Sequence, residues 1–138
     1  MHVIYIAGPF RGQTAWQVHR NVCEAEEFAF MVAEAGAMPL CPHTNTAHFD
    51  GTMNDRFWLV GTLELLRRCD AIFVTSRWVW SSGARAEMKE AIDRGMPAFQ
   101  DVPALRLWLA GESDGRESYE LFATQMQSAA REIRGVAV

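Results

Sequence analysis

Short runs rich in β-branched and aromatic residues alternate along this chain with longer stretches in which apolar residues return every three or four positions. The runs at residues 2–7 (HVIYIA), 37–40, 70–75 (DAIFVT) and 96–100 predict strands. The third is almost continuously apolar, as a strand covered on both faces must be. Between the first two, Val18, Val22, Ala25, Phe28, Ala29, Val32 and Ala33 predict a helix over 15–35, closed by Gly36. Phe57, Leu59, Val60, Leu63, Leu65 and Leu66 give a helix over 54–68 a broad apolar face, and a third helix spans 83–94 before Gly95. An apolar stretch at 102–109 follows, then an amphipathic helix over 117–134 with Tyr119, Phe122, Met126, Ala129 and Ile133 on one face. The second strand runs into Cys41-Pro42-His43, where proline breaks the pattern and a polar loop over 44–53 begins.

Strands separated by helices predict an α/β fold, with a parallel sheet of four to five strands and helices on both faces, in a single domain over residues 1–138. In open sheets of this kind ligands bind beyond the carboxyl ends of the strands, at helix N-termini and at the crevice where strand order reverses. The loops that begin at Gly8, Cys41 and Ser76 are therefore the places to look for a site.

The first of these is the stretch YIAGPFRG, residues 5–12. Gly8 and Gly12 let backbone approach a ligand, and Arg11 carries a planar fork of donors suited to phosphate or carboxylate. The alternative is a plain strand-to-helix turn with a solvated arginine: the segment is neither a Walker A sequence nor GxGxxG, and Pro9 removes one amide donor. Tyr5 is either a satisfied core tyrosine or a phenol directed at the site.

The third loop and its helix read WVWSSGARAEMKEA, residues 78–91. Ser81 or Ser82 caps the helix, Gly83 leaves its first turn unobstructed, and Glu87 lies one turn below Gly83 on the same face. Ala84, Met88, Ala91 and Ile92 define the buried arc, which puts Glu87 at its border: either a solvated helix carboxylate or one that reaches what the cap holds. Trp78 and Trp80 either stack on a flat ligand ring or pack over the sheet end.

Composition narrows the classes of function. The 138 residues are 49% hydrophobic and 22% charged, which fits one globular core. A net charge of -4 without a basic run argues against a nucleic-acid polymer as partner. Cys23, Cys41 and Cys69 are odd in number and widely spaced, no apolar stretch is long enough to cross a bilayer, and no signal peptide is visible, so a reducing cytoplasm is the expected location and no membrane partner is expected. Cys41, His43 and His48 lack the paired spacing of a zinc site, so neither a metal nor a cofactor is expected. His43, at a strand end on the ligand edge, either contacts substrate, acts in proton transfer or is satisfied by backbone.

In their order and spacing, YIAGPFRG, CPHTNTAH, CDAIFV and SSGARAEMKEAIDRG resemble the nucleoside 2-deoxyribosyltransferase-like superfamily over roughly residues 1–99, and within it a small bacterial and phage subfamily without an established function. The resemblance implies a flavodoxin-like or Rossmann-like fold, a nucleoside or nucleotide as small-molecule partner, and assembly as a homo-oligomer in which neighbours complete the sites. It implies that Glu87, in the Gly-x-x-x-Glu arrangement from Gly83, is the nucleophile at the anomeric carbon, with Tyr5 beside the reacting centre. It further places Gly8, Phe10, Arg11, Gly12, Ser82 and Gly83 around a 5′-phosphate. One departure stands out: the aspartate that superfamily enzymes carry on the helix before the third strand is aligned with Thr62. Asp55, seven residues upstream on the same helical face, is the substitute acid on offer, whereas Asp70 starts the third strand at the opposite sheet edge and reads as structural.

Two functions are therefore expected from one cleft. In the first, an enzyme cleaves or exchanges the N-glycosidic bond of a nucleoside or nucleoside 5′-monophosphate; in the second, a non-catalytic module binds the nucleotide and regulates a partner.

Overall fold

The computed structural model describes residues 1–49 and 51–136. Four strands, β1 (Val3–Ala7), β2 (Met38–Leu40), β3 (Ala71–Val74) and β4 (Ala98–Phe99), form one sheet in the order β2-β1-β3-β4, and every pair is parallel. The helices are α1 (Ala15–Glu34), α2 (Pro42–Asn45), α3 (Asp55–Arg67), α4 (Ser82–Asp93), α5 (Val102–Leu109) and α6 (Tyr119–Val136), with a 3₁₀ turn at Trp78–Trp80 before α4. This is the α/β architecture with a parallel sheet that the alternating pattern predicts, in the flavodoxin-like or Rossmann-like form that the resemblance implies, at the lower end of the expected strand count.

The pleat of β1 and β3 divides the core. Tyr5 is in register with Ile72 and Ala7 with Val74, and these four side chains meet Leu66, Ala84, Met88, Ala91 and Phe122 on one face. Ile4, Ile6 and Phe73 point the other way, onto Ala25 and Val32 of α1 and Leu105 of α5. Ile4, Ile6, Ile72 and Phe73 are wholly buried, and each such side chain contributes about 1.5–3 kcal/mol relative to exposure.

Local signals set the helix starts. Thr14 accepts from the Gln17 amide ahead of α1, Asn54 from Phe57 ahead of α3, Ser81 from Ala84 ahead of α4 and Asp101 from Ala104 ahead of α5. Gly36 follows α1 with φ of 101°, a left-handed conformation that glycine adopts without strain.

Three elements differ from the sequence pattern. Pro42 starts the one-turn helix α2 instead of simply ending the strand, because at the first helical position its missing N–H costs nothing. The fourth strand contracts to Ala98–Phe99 because only Ile72 and Phe73 of β3 pair with it. On α3 the broad apolar face is only partly used: Leu66 is fully buried, while Phe57 and Val60 are 51% and 52% exposed. Of the described helices, none is long and apolar enough to cross a membrane.

Candidate functional site

The chain goes from β1 to β2 on one side and then returns to place β3 on the other side of β1, so strand order reverses between β1 and β3. Beyond their carboxyl ends stand the loop from Gly8 and the segment Thr75–Arg77, pressed together. The Thr75 amide donates to the Ala7 carbonyl at 2.9 Å. A Cβ on Gly8 would sit 2.0 Å from Thr75 Oγ1, so no larger residue fits there. Glycine is needed at position 8 for close approach within the protein itself.

Two buried side chains fix the carbonyls of this loop. His43 on α2 places Nε2 at 3.1 Å from the Gly8 oxygen and 2.9 Å from the Pro9 oxygen, so that Nε2–H donates and Nδ1 is the unprotonated acceptor. Burial lowers the His43 pKa, which keeps the ring neutral, and Nδ1 is buried without a partner among the described residues. Asn21 on α1 donates from Nδ2 to the carbonyls of Phe10 and Arg11, both at 3.1 Å, and Phe10 meets the His43 ring edge-on at 5.7 Å between centroids. With four consecutive carbonyls held, the amides of Phe10, Arg11 and Gly12 donate to no protein group among the described residues. Free amides grouped in a loop form a concavity of positive potential suited to an anion.

Asn21 is a residue that the motif reading overlooks. Its signal is in the periodicity: positions 21, 25, 28 and 32 follow one helix face, and an asparagine on a buried arc needs polar partners. It also joins two loops, because Arg77 Nη2 donates to its Oδ1 at 3.3 Å and to Glu24 Oε2 at 3.2 Å. These contacts hold Arg77 in a left-handed conformation, φ 58°, which costs a non-glycine residue about 1–2 kcal/mol.

The chemistry-bearing pair lies on the other face of β1. Tyr5, 1% exposed, donates its phenol proton to Oε2 of Glu87, which is 7% exposed. Glu87 thus sits inside the border where the helical pattern puts it, packed with Ala84, Met88 and Ala91 on α4. Burial raises its pKa to about 7 against the opposing effect of the Tyr5 hydrogen bond. Burial, then the charge of Glu87, pushes the Tyr5 phenol well above its ordinary value. Near neutrality the pair is therefore poised between a neutral acid and a carboxylate held by a phenol. Thr62 on α3, the residue aligned with the superfamily's acid, is near enough to the same phenol to oppose the rise in its pKa. Thr62 also donates to the Leu59 carbonyl at 3.1 Å.

Asp55 is placed elsewhere. It occupies the first turn of α3 with its side chain 77% exposed and forms an ion pair with Arg11. Seven residues of helix rise separate it from Thr62 by about 10 Å along the axis. Asp70, as a structural carboxylate, accepts from the Val3 amide at 2.7 Å at the start of β1. Ser82 and Gly83 open α4, and a Cβ on Gly83 would meet only Ser81 Oγ, at 3.8 Å, so that helix end is unobstructed. Trp78 is buried and packs edge-on against Phe122 at 5.8 Å, whereas Trp80 is half-exposed. No group of His, Cys, Asp and Glu among the described residues has the geometry of a metal site.

The structure thus joins Tyr5, Thr62 and Glu87 on one face of β1, and Gly8, Phe10, Arg11, Asn21 and His43 at its carboxyl end. Residues 2–100 match a family model described as "Domain of unknown function (DUF7768)", and the chain belongs to that family. No curated protein matches it.

Proposed function

We propose that this protein cleaves or exchanges the N-glycosidic bond of a nucleoside or nucleoside 5′-monophosphate, in line with the resemblance of its motifs to the nucleoside 2-deoxyribosyltransferase-like superfamily. The observation that carries this reading is the buried pair formed by Tyr5 on β1, beside the strand reversal, and Glu87 on α4, one turn below the open Gly83. The ionised Glu87 attacks the anomeric carbon as the C–N bond breaks and its electron pair leaves with the base. The resulting glycosyl ester is resolved by water, which gives hydrolysis, or by a second base, which gives transfer. Tyr5 orients the carboxylate through its phenol proton. The free amides of Phe10, Arg11 and Gly12, with the Arg11 guanidinium, receive the phosphate.

A second reading, a nucleotide-binding sensor, has one specific observation in its favour. The position near the pair carries threonine, and Asp55 is engaged with Arg11, so neither candidate position offers a free carboxylic acid to protonate the departing base. The two readings separate in one experiment. Incubation with a panel of nucleosides and 5′-monophosphates, followed by chromatography for free base, yields base with the enzyme and none with Glu87→Gln, which still binds. Retention of a nucleotide with no release supports the sensor.

A homo-oligomer belongs to the same reading. Phe57 and Val60, one turn apart on α3, are half-exposed next to Leu59 and provide an apolar surface that a second copy would cover. Sedimentation velocity of the wild type beside a Phe57→Ser, Val60→Ser variant tests it.

A further inference from the structure

Away from the Tyr5–Glu87 pair, a cleft of about 510 Å³ opens beyond the carboxyl ends of β3 and β4, between α1, the 3₁₀ turn and α6. Its size falls within the range of small-molecule sites. Neither Tyr5, Thr62 nor Glu87 lines it, and neither does any residue from Gly8 to Gly12. Aromatic side chains, Phe28 and Trp80, border it, and its charged lining is one cation, Arg77, and one anion, Glu132. Arg77 is already paired with Glu24. With Arg77 neutralised in this way, the charge that remains on the walls is the Glu132 carboxylate, which disfavours an anion.

The polar recognition capacity comes from two carboxamides, Gln100 after β4 and Gln125 on α6. They satisfy each other poorly. Gln125 Nε2 lies 3.4 Å from Gln100 Oε1, a long contact, and Gln125 Oε1 is buried with no partner among the described residues. A buried amide oxygen without a donor is a standing cost that folding would ordinarily remove by repacking or by an apolar residue. The terminal torsion of glutamine is broad, so a modest turn directs the amide into the cleft. There its oxygen accepts and its NH₂ donates, a pattern complementary to another amide or lactam edge.

We propose that this cleft is a second ligand site, for an uncharged planar heterocycle with adjacent N–H and C=O groups, held edge-on by Gln125 and Gln100 and flanked by Trp80 and Phe28. The inference is independent of the reaction proposed for Glu87, because it rests on a different cavity and different side chains.

Isothermal calorimetry with uracil, hypoxanthine and nicotinamide as probes tests it on the full chain, using wild type, Gln125→Leu, Ser128→Trp and Glu87→Gln. Ser128 lies exposed on the α6 wall of the cleft, so the indole fills it without disturbing the core. The expected result is saturable binding of at least one probe, weakened about tenfold or more in Gln125→Leu, abolished in Ser128→Trp and unchanged in Glu87→Gln. Circular dichroism melts verify that both cleft variants are folded. Absence of binding by all three probes at millimolar concentration would overturn the proposal, leaving a solvent-filled groove. So would binding that survives both cleft substitutions, or binding lost in Glu87→Gln while the cleft variants retain it.

Discussion

The phenol of Tyr5 and the carboxyl of Glu87 share a proton-bridged contact inside the protein, although 82 positions separate them in the chain. The sheet brings this about: Tyr5 projects from β1 towards the face that α4 covers, and Glu87 is the one acidic residue among the buried side chains of α4. A carboxyl that is buried without a cation is expensive to ionise, and that expense has measurable consequences.

The first concerns stability. The Glu87 pKa is about 7 in the folded protein against 4.5 for an ordinary glutamate. Below the lower value both folded and unfolded chains hold the proton and nothing is lost. As pH rises towards the folded value the unfolded chain ionises first, and stability falls, levelling above about 7. Glu87→Gln keeps an acceptor for Tyr5 and removes the titration. Urea melts are expected to show the variant gaining about 3 kcal/mol over wild type at about pH 8 and little at about pH 4.5. A difference independent of pH would contradict burial as the cause.

The second concerns the phenol. Because its hydrogen bond lowers the Glu87 pKa against burial, Tyr5→Phe raises that pKa above about 7. Carboxyl-carbon NMR titration, with Glu87→Gln to assign the signal, follows it directly. The acid limb of any pH–rate profile moves to higher pH with it. A pKa that stayed put or fell would mean that the phenol does not stabilise the carboxylate.

The third concerns the anion loop. Asn21→Asp replaces two donors by acceptors facing the Phe10 and Arg11 carbonyls. The expected cost is about 1–3 kcal/mol of stability. Affinity for a 5′-monophosphate should fall more than affinity for the nucleoside, as calorimetry on the two ligands would show. An equal loss for both would place the phosphate elsewhere.

The fourth concerns Gly8. Gly8→Ala drives a methyl group into Thr75 Oγ1 and destabilises by about 1–3 kcal/mol, the usual range for overpacking. Adding Thr75→Ala removes the nearest atom, so the double variant should be more stable than Gly8→Ala alone. A double-mutant cycle in urea gives this coupling, and strict additivity would refute the steric account.

Much of this architecture is legible in the sequence. The α/β alternation, a serine cap at Ser81 or Ser82 and the placement of Glu87 below Gly83 follow from local rules, because periodicity and capping act within one element; in the structure the cap is Ser81. What spacing does not encode is contact between elements. Position 21 reads as one polar residue on a long helix until the sheet order carries α1 to the loop after β1. Asp55 shares a helical face with Thr62, yet its place at the start of α3 commits it to Arg11 at the surface. Trp78 and Trp80 are two residues apart and look equivalent, but the 3₁₀ turn sends the first into the core against Phe122 and leaves the second half-exposed.

Covalent attack by Glu87 requires that its carboxylate become bonded to a sugar. Mixing the protein with a nucleotide that it turns over, quenching in acid within the first turnover and mapping the peptides by mass spectrometry tests this directly. The mass of one pentosyl phosphate on the peptide that contains Glu87, absent in Glu87→Gln, is the predicted result. Release of free base with that peptide unmodified, at a rate that Glu87→Gln leaves intact, would contradict it.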